Sequence, residues 1–527
     1  MTSPSSAETE TVGHIDLEKT LTPPYEVVNP KYQGSGTEED PFVVVWDSPY
    51  DAENPRTWPT LRKALMTAQL SFGTFAVTCC SSTYSGAIPD MMRDLHMSEE
   101  VAVIGLSAYV IGFGLGPLLF APLSEMYGRQ PVFLTTYAPF VIFHIGCALA
   151  QNPQTMMLCR FFAGAFGSAP LTNSGGMISD LFAPYERAVP QTLYGTAPLL
   201  GPVVGPILGG YVSQSASLGW RWLFGIQAII TGLNLLAAFI YFPETFSPVI
   251  LQRRAHKLQK ESAAQAAGTS AAPQYFVDIF HLNGKMATTL AGKLYIGLSR
   301  PFVFLMQEPI VIVLAIYSAI FYSTLYAFFA GFSKVFEKGH HFSQGENGLA
   351  FLGIGLGVLI GVFLTPIQTA LYRRHGQKQP GPDGNPLPEA RMILPMAAAI
   401  LLPIGIFWFA WTSSPRIHWI LPIVGATPFG LGMALLMIAI TAYLMDSYGS
   451  MCASAIAAVV VTRSVCAAAF PLFTPTLLRN LGTEWGLSIF GLLSLLCSPL
   501  PFLLYKYGPL LRARSRYATE VAGKTYK

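Results

Sequence analysis

Three charged side chains sit inside long apolar stretches of this sequence, where each must do something that a neutral residue could not. Glu308, followed by Pro309, lies about two helical turns into the apolar run that begins at Phe302. A carboxylate at membrane depth can take up and release a proton, which makes Glu308 a candidate for proton coupling. The other reading is a structural ion pair with Arg300 or with a basic residue on another span. Arg160 opens the run RFFAGAFGSAP, and Arg463 stands mid-way along AAVVVTRSVCAAA. A guanidinium in lipid costs at least several kcal/mol, so Arg160 either faces the interior of a helix bundle or snorkels to the headgroups. Arg463 asks for an anion partner, a substrate contact or a salt bridge within the second half of the chain. Tyr322, Tyr326 and Phe329 share one helical face and are read either as packing or as the lining of a substrate cavity. His144 is read as a satisfied, neutral core histidine. Asp180 and Asp446 lie near the ends of their spans, where loop roles are expected.

Several chemistries are missing. No GxxxxGK[ST] phosphate loop, no metal-spaced Cys/His cluster and no nucleophile elbow occurs. The reading is therefore of a chain with no catalytic residue, no metal and no cofactor, which is not an enzyme and draws no energy from ATP that it binds itself. No nucleic-acid partner is expected.

The elements that must hold such residues are set by composition. Of 527 residues, 52% are hydrophobic and only 12% charged, and mean hydropathy is +0.44, too apolar for a soluble globule of this size. All seven cysteines fall in apolar segments, so no disulfide framework is implied. Apolar runs of about 20 residues, the length that crosses a ~30 Å hydrocarbon core, recur twelve times. They lie near 64–86, 100–122, 131–150, 155–179, 189–213, 220–243, 302–331, 346–369, 391–411, 417–442, 450–473 and 484–505. The expected fold is an all-α membrane protein with twelve transmembrane helices in two six-helix halves, 64–243 and 302–505. Residues 1–63 form a polar tail and membrane-proximal collar, with Trp46 and Trp58 at headgroup depth. Residues 244–301 form a linker with a basic amphipathic helix from Pro243 to Lys260, read as anchoring to headgroups, and 506–527 form a basic tail. Loop Lys and Arg favour the side that holds both termini by about two to one, which places the termini in the cytoplasm.

The fifth run contains GPVVGPILGG, with Gly201, Gly205, Pro206, Gly209 and Gly210. Glycines four residues apart strip side chains from one face and admit a neighbouring backbone, and proline kinks the helix. The eighth run carries Gly353, Gly357 and Gly361 at the same spacing, with Gly355 beside them. The expectation is that these two glycine faces pack on each other across the two halves.

Several of these stretches carry a family likeness. GPVVGPILGG resembles the antiporter signature of the major facilitator superfamily. APLSEMYGRQPV, Ala121 to Val132, resembles that superfamily's loop motif, with Glu125 at its acidic position, Gly128 at the turn and Arg129 at the basic position; Ala121, Met126 and Gln130 depart from the pattern. The resemblance implies a gating role, in which the carboxylate meets a helix terminus of the opposite half. RFFAGAFGSAP resembles the family's second motif, which implies a part for Arg160 in a proton relay. The opening PETFSPVIL and the W…D…NP…W…K segment before the first span are similar to fungal drug:proton antiporters of the twelve-span type, and the likeness runs from Trp46 to Tyr505. The first span has no acid, so coupling through a carboxylate there does not carry over. The likeness implies a proton-coupled exporter of amphiphilic organic compounds, a monomer in the lipid bilayer of the plasma membrane. Its partners are protons and a small organic solute. A nutrient uniporter or proton symporter of the same fold, a non-transporting receptor or scaffold, and a vacuolar location are the alternatives. Drugs, toxins and secondary metabolites all fit as cargo.

Overall fold

The computed structural model describes residues 33–518 apart from 35, 49, 184–185, 268–273, 283–289, 379–385 and 516. Most of the polar tail and the last residues of the chain lie outside it. Among the described residues, nine helical stretches are long and apolar enough to cross a membrane: α1 (Thr60–Asp94), α2 (Glu99–Tyr127), α3 (Arg129–Ala148), α6 (Gly219–Tyr241), α7 (Pro309–Gly339), α8 (Gln344–Gln377), α9 (Pro388–Thr412), α10 (Ile420–Tyr448) and Cys452–Arg514. The last of these bends at Gly482, whose φ of +78° suits glycine, so it makes two passes, α11 (452–481) and α12 (483–514). Two more helices, α4 (Pro153–Leu181) and α5 (Ala188–Gln214), are more polar, but their 29 and 27 residues are long enough to cross. The arrangement is consistent with twelve spans in two sets of six.

Helix starts follow local chemistry. Ser98 accepts the Val101 N–H ahead of α2, with Glu99 and Glu100 in the first turn, and Asn152 accepts the Thr155 N–H ahead of Pro153 in α4. Ser343 and Glu346 form a capping box at the start of α8. Pro309 opens α7, because a residue without an N–H loses nothing at the first helical position. That shifts the seventh span: the run from Phe302 divides into a separate helix, Leu290–Gln307, and α7 proper.

The two sets of six repeat each other's contacts. In the first, α1 packs on α5, α2 on α4, α3 on α4 and α3 on α6; in the second, α7 packs on α11, α8 on α10, and α9 on α10 and α12. Between the sets, α2 meets α11 and α5 meets α8, two pairings that a six-helix shift interchanges. This is the contact pattern of two repeats related by a pseudo-two-fold axis.

The described residues from Gln33 to Trp58 and from Ser247 to Leu282 form a separate compact unit. Strands β1 (Phe42–Val44) and β2 (Phe276–Asp278) pair in parallel, and Val44 and Trp46 are buried with Leu251 and Ala255 of the helix Ser247–Ala267. Trp46 and Trp58 are both buried by protein, and the Trp58 indole N–H donates to the Ala52 carbonyl at 3.0 Å. Part of the basic face of the Ser247–Ala267 helix is spent inside the unit as well: Arg254 pairs with Asp47, with Asp51 at 2.9 Å and with Glu53 at 3.9 Å. Burial pushes the Asp51 carboxyl up, but the backbone N–H groups of Glu53 and Asp47 and the Arg254 guanidinium outweigh it, so the group is held below its ordinary value. A depressed carboxyl contributes stability above its unfolded pKa and loses it as pH falls through the folded one. Arg254→Gln, which leaves Asp51 buried without its cation, is expected to cost this unit about 1–3 kcal/mol. The check is faster proteolytic nicking within 36–58 or 247–282; cleavage at the wild-type rate would contradict it.

Candidate functional site

The glycine-rich face of α5 lies against α1. A Cβ on Gly201 would meet Thr78 Oγ1 at 2.1 Å, one on Gly205 would meet Ser82 Oγ at 1.9 Å, and one on Gly209 would meet the Thr83 carbonyl at 2.2 Å. Thr78 and Ser82 also reach the Ala197 and Gly201 carbonyls, supplying donors beside the proline steps at Pro198, Pro202 and Pro206. Gly353, Gly357 and Gly361 do not face α5. They meet Ile423, Thr427 and Leu431 with Ala434 of α10, so this ladder joins two helices of the second set. The contact between α5 and α8 does form, through other residues: Gly210 against Gln344, Gly345 against Tyr211 and Gln214, Gly348 against Pro206, and Gly355 against Val203. Spacing announces a smooth face without naming the helix that lies on it.

Arg160 is fully buried, not snorkelling. Its guanidinium donates to the carbonyls of Cys80 (2.8 Å), Ser81 (2.9 Å) and Gly105 (3.2 Å), and lies over the rings of Tyr84 and Tyr109 at 4.7 and 4.3 Å. The two α1 carbonyls are open to it because the helix tightens from α to 3-10 geometry at Tyr84, leaving last-turn carbonyls in need of donors. No carboxylate touches Arg160 among the described residues. The turn that it clamps presents Ser81, whose hydroxyl shares a 3.0 Å hydrogen bond with Tyr326 of α7 across the two halves. The Tyr326 ring packs tilted against Tyr322 at 5.4 Å and edge-on to Phe329 at 5.3 Å, and the Arg463 guanidinium lies 4.5 Å from the Tyr322 ring. Arg160, Tyr322, Tyr326, Phe329 and Arg463 thus form one continuous polar and aromatic path from α4 to α11. Arg463 makes no salt bridge among the described residues. His144, near this path, is buried with its Nδ1 2.9 Å from the Phe140 carbonyl.

A second cluster occupies the end of the bundle where α1 begins and α12 finishes. Gly128 turns the chain with φ +103°, and a Cβ there would lie 2.0 Å from the Glu244 carboxylate. Glu244 accepts from the backbone N–H groups of Arg129, Thr245 and Phe246 at 2.9, 2.9 and 3.0 Å, and so caps α3. The Arg129 side chain is buried, donates to Ser124 Oγ at 2.6 Å, stands 3.6 Å from Asp180 and covers the Phe246 ring at 4.8 Å. Glu125 is exposed and lies within electrostatic reach of Cys452, the first residue of α11 in the opposite half. The second set of helices repeats the design: Arg391 pairs with Asp446 at 2.8 Å and Tyr372 joins them at 3.1 Å, while Arg512 holds Glu389 through two bonds of 2.8 and 2.9 Å. Sequence reading missed Glu244, Glu389 and Arg512. For Glu244 the signal available was an acid directly after the sixth span.

The Gly128–Glu244 contact gives a stability prediction. Gly128→Ala and Glu244→Gln should each destabilise the purified protein by about 1–3 kcal/mol, and the double variant should lose less than their sum, because both break one cap. Unfolding midpoints in detergent test this; strict additivity would contradict it.

Glu308 lies at the same end of the bundle, against Ser515 just past α12. It is buried at the N-cap of α7 rather than two turns inside the span, for the reason Pro309 supplies. Its carboxylate accepts from the Tyr448 hydroxyl at 2.8 Å and from Ser515 Oγ at 2.7 Å. Arg300 is exposed, and no ion pair joins it to Glu308 among the described residues.

Comparison with known proteins decides the family. The description Major Facilitator Superfamily matches residues 70–471. The chain belongs to that superfamily. A multidrug transporter of the superfamily from Aspergillus fumigatus, mdrA, is 43% identical over 495 residues, covering 94% of this chain and 79% of its own. The efflux pump FUBT of Fusarium oxysporum is 39% identical over 500 residues, covering 95% and 82%. Among solved structures, the superfamily's proton:xylose symporter XylE aligns with a TM-score of 0.59 over 85% of this chain and 96% of its own at 17% identity, a likeness of fold alone. Membership in the superfamily makes this a multi-pass membrane protein of a transporter family.

Proposed function

We propose that this chain is a proton-coupled secondary active exporter of amphiphilic organic compounds such as drugs, toxins or secondary metabolites. The observation that carries the reading is the identity of 43% and 39%, along more than nine-tenths of the chain, to proteins named for multidrug transport and efflux. The glycine and proline face of α5, closed against α1 and in contact with α8, supports it as the element on which the two halves rock. The path from Arg160 to Arg463 is the proposed substrate cavity wall, with Arg160 holding the α1 turn that presents Ser81. Glu308 is the proposed proton carrier, because it is a buried acid held by two hydroxyls. Glu244 is instead tied up by backbone donors and Glu389 by Arg512. Gly128, Arg129 and Glu125 are proposed as the gate at the end of the bundle that holds the termini.

A plasma-membrane monomer with both termini cytoplasmic is part of this proposal; the distribution of basic residues supports the orientation and family likeness supports the rest. The test is intracellular accumulation of a compound panel in a host with and without the chain. Lower accumulation that a protonophore abolishes is expected; equal accumulation for every compound would contradict export.

A further inference from the structure

Arg160 and Arg463 are both buried between the helices, and they differ in how well they are satisfied. Arg160 spends its donors on three carbonyls and two ring faces. Arg463 is 5% exposed, yet among the described residues its Nη1 donates only to the Met437 thioether at 3.2 Å and its Nε–H has no acceptor, while its charge rests on the face of Tyr322. A thioether is a weak acceptor and a ring quadrupole is a partial counter-charge, so neither balances a full positive charge out of water. Tyr194 of α5 also lies within electrostatic reach, which sets the guanidinium between elements of both halves. A buried cation with an idle donor, resting on the Tyr322 ring from which Tyr326 and Phe329 continue the aromatic stripe along α7, fits an anion attached to a flat apolar body.

We infer that Arg463 is the recognition residue for an acidic group on the cargo, and that the cargo class is aromatic organic acids bound in their ionised form. This rests on the exporter reading given above and names the substrate class of the same cavity. A carboxylate would take the idle Nε–H and one Nη donor together, the paired geometry that arginine offers and lysine does not, while the attached ring stacks in the Tyr322–Phe329 stripe.

The test uses the full chain, purified, with three pairs of probes that differ only at the acidic group: benzoate, 2-naphthoate and biphenyl-4-carboxylate, each against its primary amide. Thermal stabilisation in detergent reads binding, and competition against proton-driven dye efflux in proteoliposomes reads the transport cavity. For at least one skeleton the acid is expected to act at a concentration about tenfold or more below that of its amide. That ratio should fall to about one in Arg463→Gln and stay between the two in Arg463→Lys, which keeps the charge but not the fork. Equal potency of acid and amide for all three skeletons in the wild type would overturn the inference, as would a ratio that survives in the Gln variant. Should the Gln variant fail to fold, the wild-type ratio and its reduction in the Lys variant decide the matter alone. An acid preference in binding without proton-driven efflux sinks the exporter reading and leaves the anion site standing. Efflux without preference does the reverse.

Discussion

Gly205→Leu is expected to abolish export while the protein still reaches the membrane in normal amount. Insertion depends on the hydrophobicity of the span, which leucine raises. Function depends on the approach of α5 to α1, and there even a single Cβ would lie 1.9 Å from Ser82 Oγ and 2.8 Å from the Cys79 carbonyl. Contacts below 3 Å with backbone atoms are not relieved by turning a side chain, so α5 and α1 must separate along their length. Separation would also break the Ser82 bond to the Gly201 carbonyl and shift the α1 turn that Arg160 and Tyr326 hold. Gly353→Leu is expected to do comparable damage for a different reason, since its Cβ would meet the Ile423 carbonyl at 2.1 Å inside the second half. Membrane-fraction immunoblots and efflux rates measure the two quantities separately. A well-inserted Gly205→Leu protein that exports normally would remove close packing from the account of α5.

Glu308→Gln is expected to reduce uphill transport to the level of passive leak, with protein yield unchanged. Glutamine keeps an oxygen that can accept from Tyr448 and Ser515, so the local hydrogen bonds survive. What it loses is ionisation. A carboxylate that carries the coupling proton must bind it on one side and give it up on the other, and an amide does neither. The competing idea, a structural ion pair, predicts low yield because removal of one partner strands a buried charge at about 3–5 kcal/mol. No cation contacts Glu308 among the described residues, so normal yield is the expected result. A Gln variant that still concentrates its cargo with unchanged response to pH would remove Glu308 as the proton carrier.

Much of the fold was legible in the sequence because lipid makes a blunt demand. Every pass needs about 20 apolar residues, and runs of that length can be counted. What was not legible is pairing. The Gly353, Gly357 and Gly361 ladder announced a bare helix face, but α5 and α10 were equally possible partners until the helices were seen together. Glu244 acts on Arg129 across 115 positions of sequence, and nothing local to PETFSP points to the turn at Gly128. The start of α7 at Pro309 was missed because the helix Leu290–Gln307 ends in apolar residues that merge with α7 in any hydropathy count. Pro309 was the available marker of the true start, as proline favours the first turn. Trp46 matched the composition of a membrane-interface belt, yet an amphipathic ring serves equally well in a small buried core, which is where it lies. Arg160 and Arg463 looked alike as buried cations, and only their hydrogen bonds separate the satisfied one from the other.

The central claim is export driven by protons, and the direct measurement is made on the purified chain in proteoliposomes with no nucleotide present. A neutral fluorescent dye is added outside, and a pH difference is imposed across the membrane in each direction in turn. Proton-coupled exchange predicts that dye moves opposite to the proton flow: it accumulates above the outside concentration when the lumen is acidic, the accumulation collapses with a protonophore, and an imposed dye gradient in turn drives a change of lumenal pH. Equal dye concentrations on both sides whatever the gradient, or accumulation in the same direction as the protons, would contradict it.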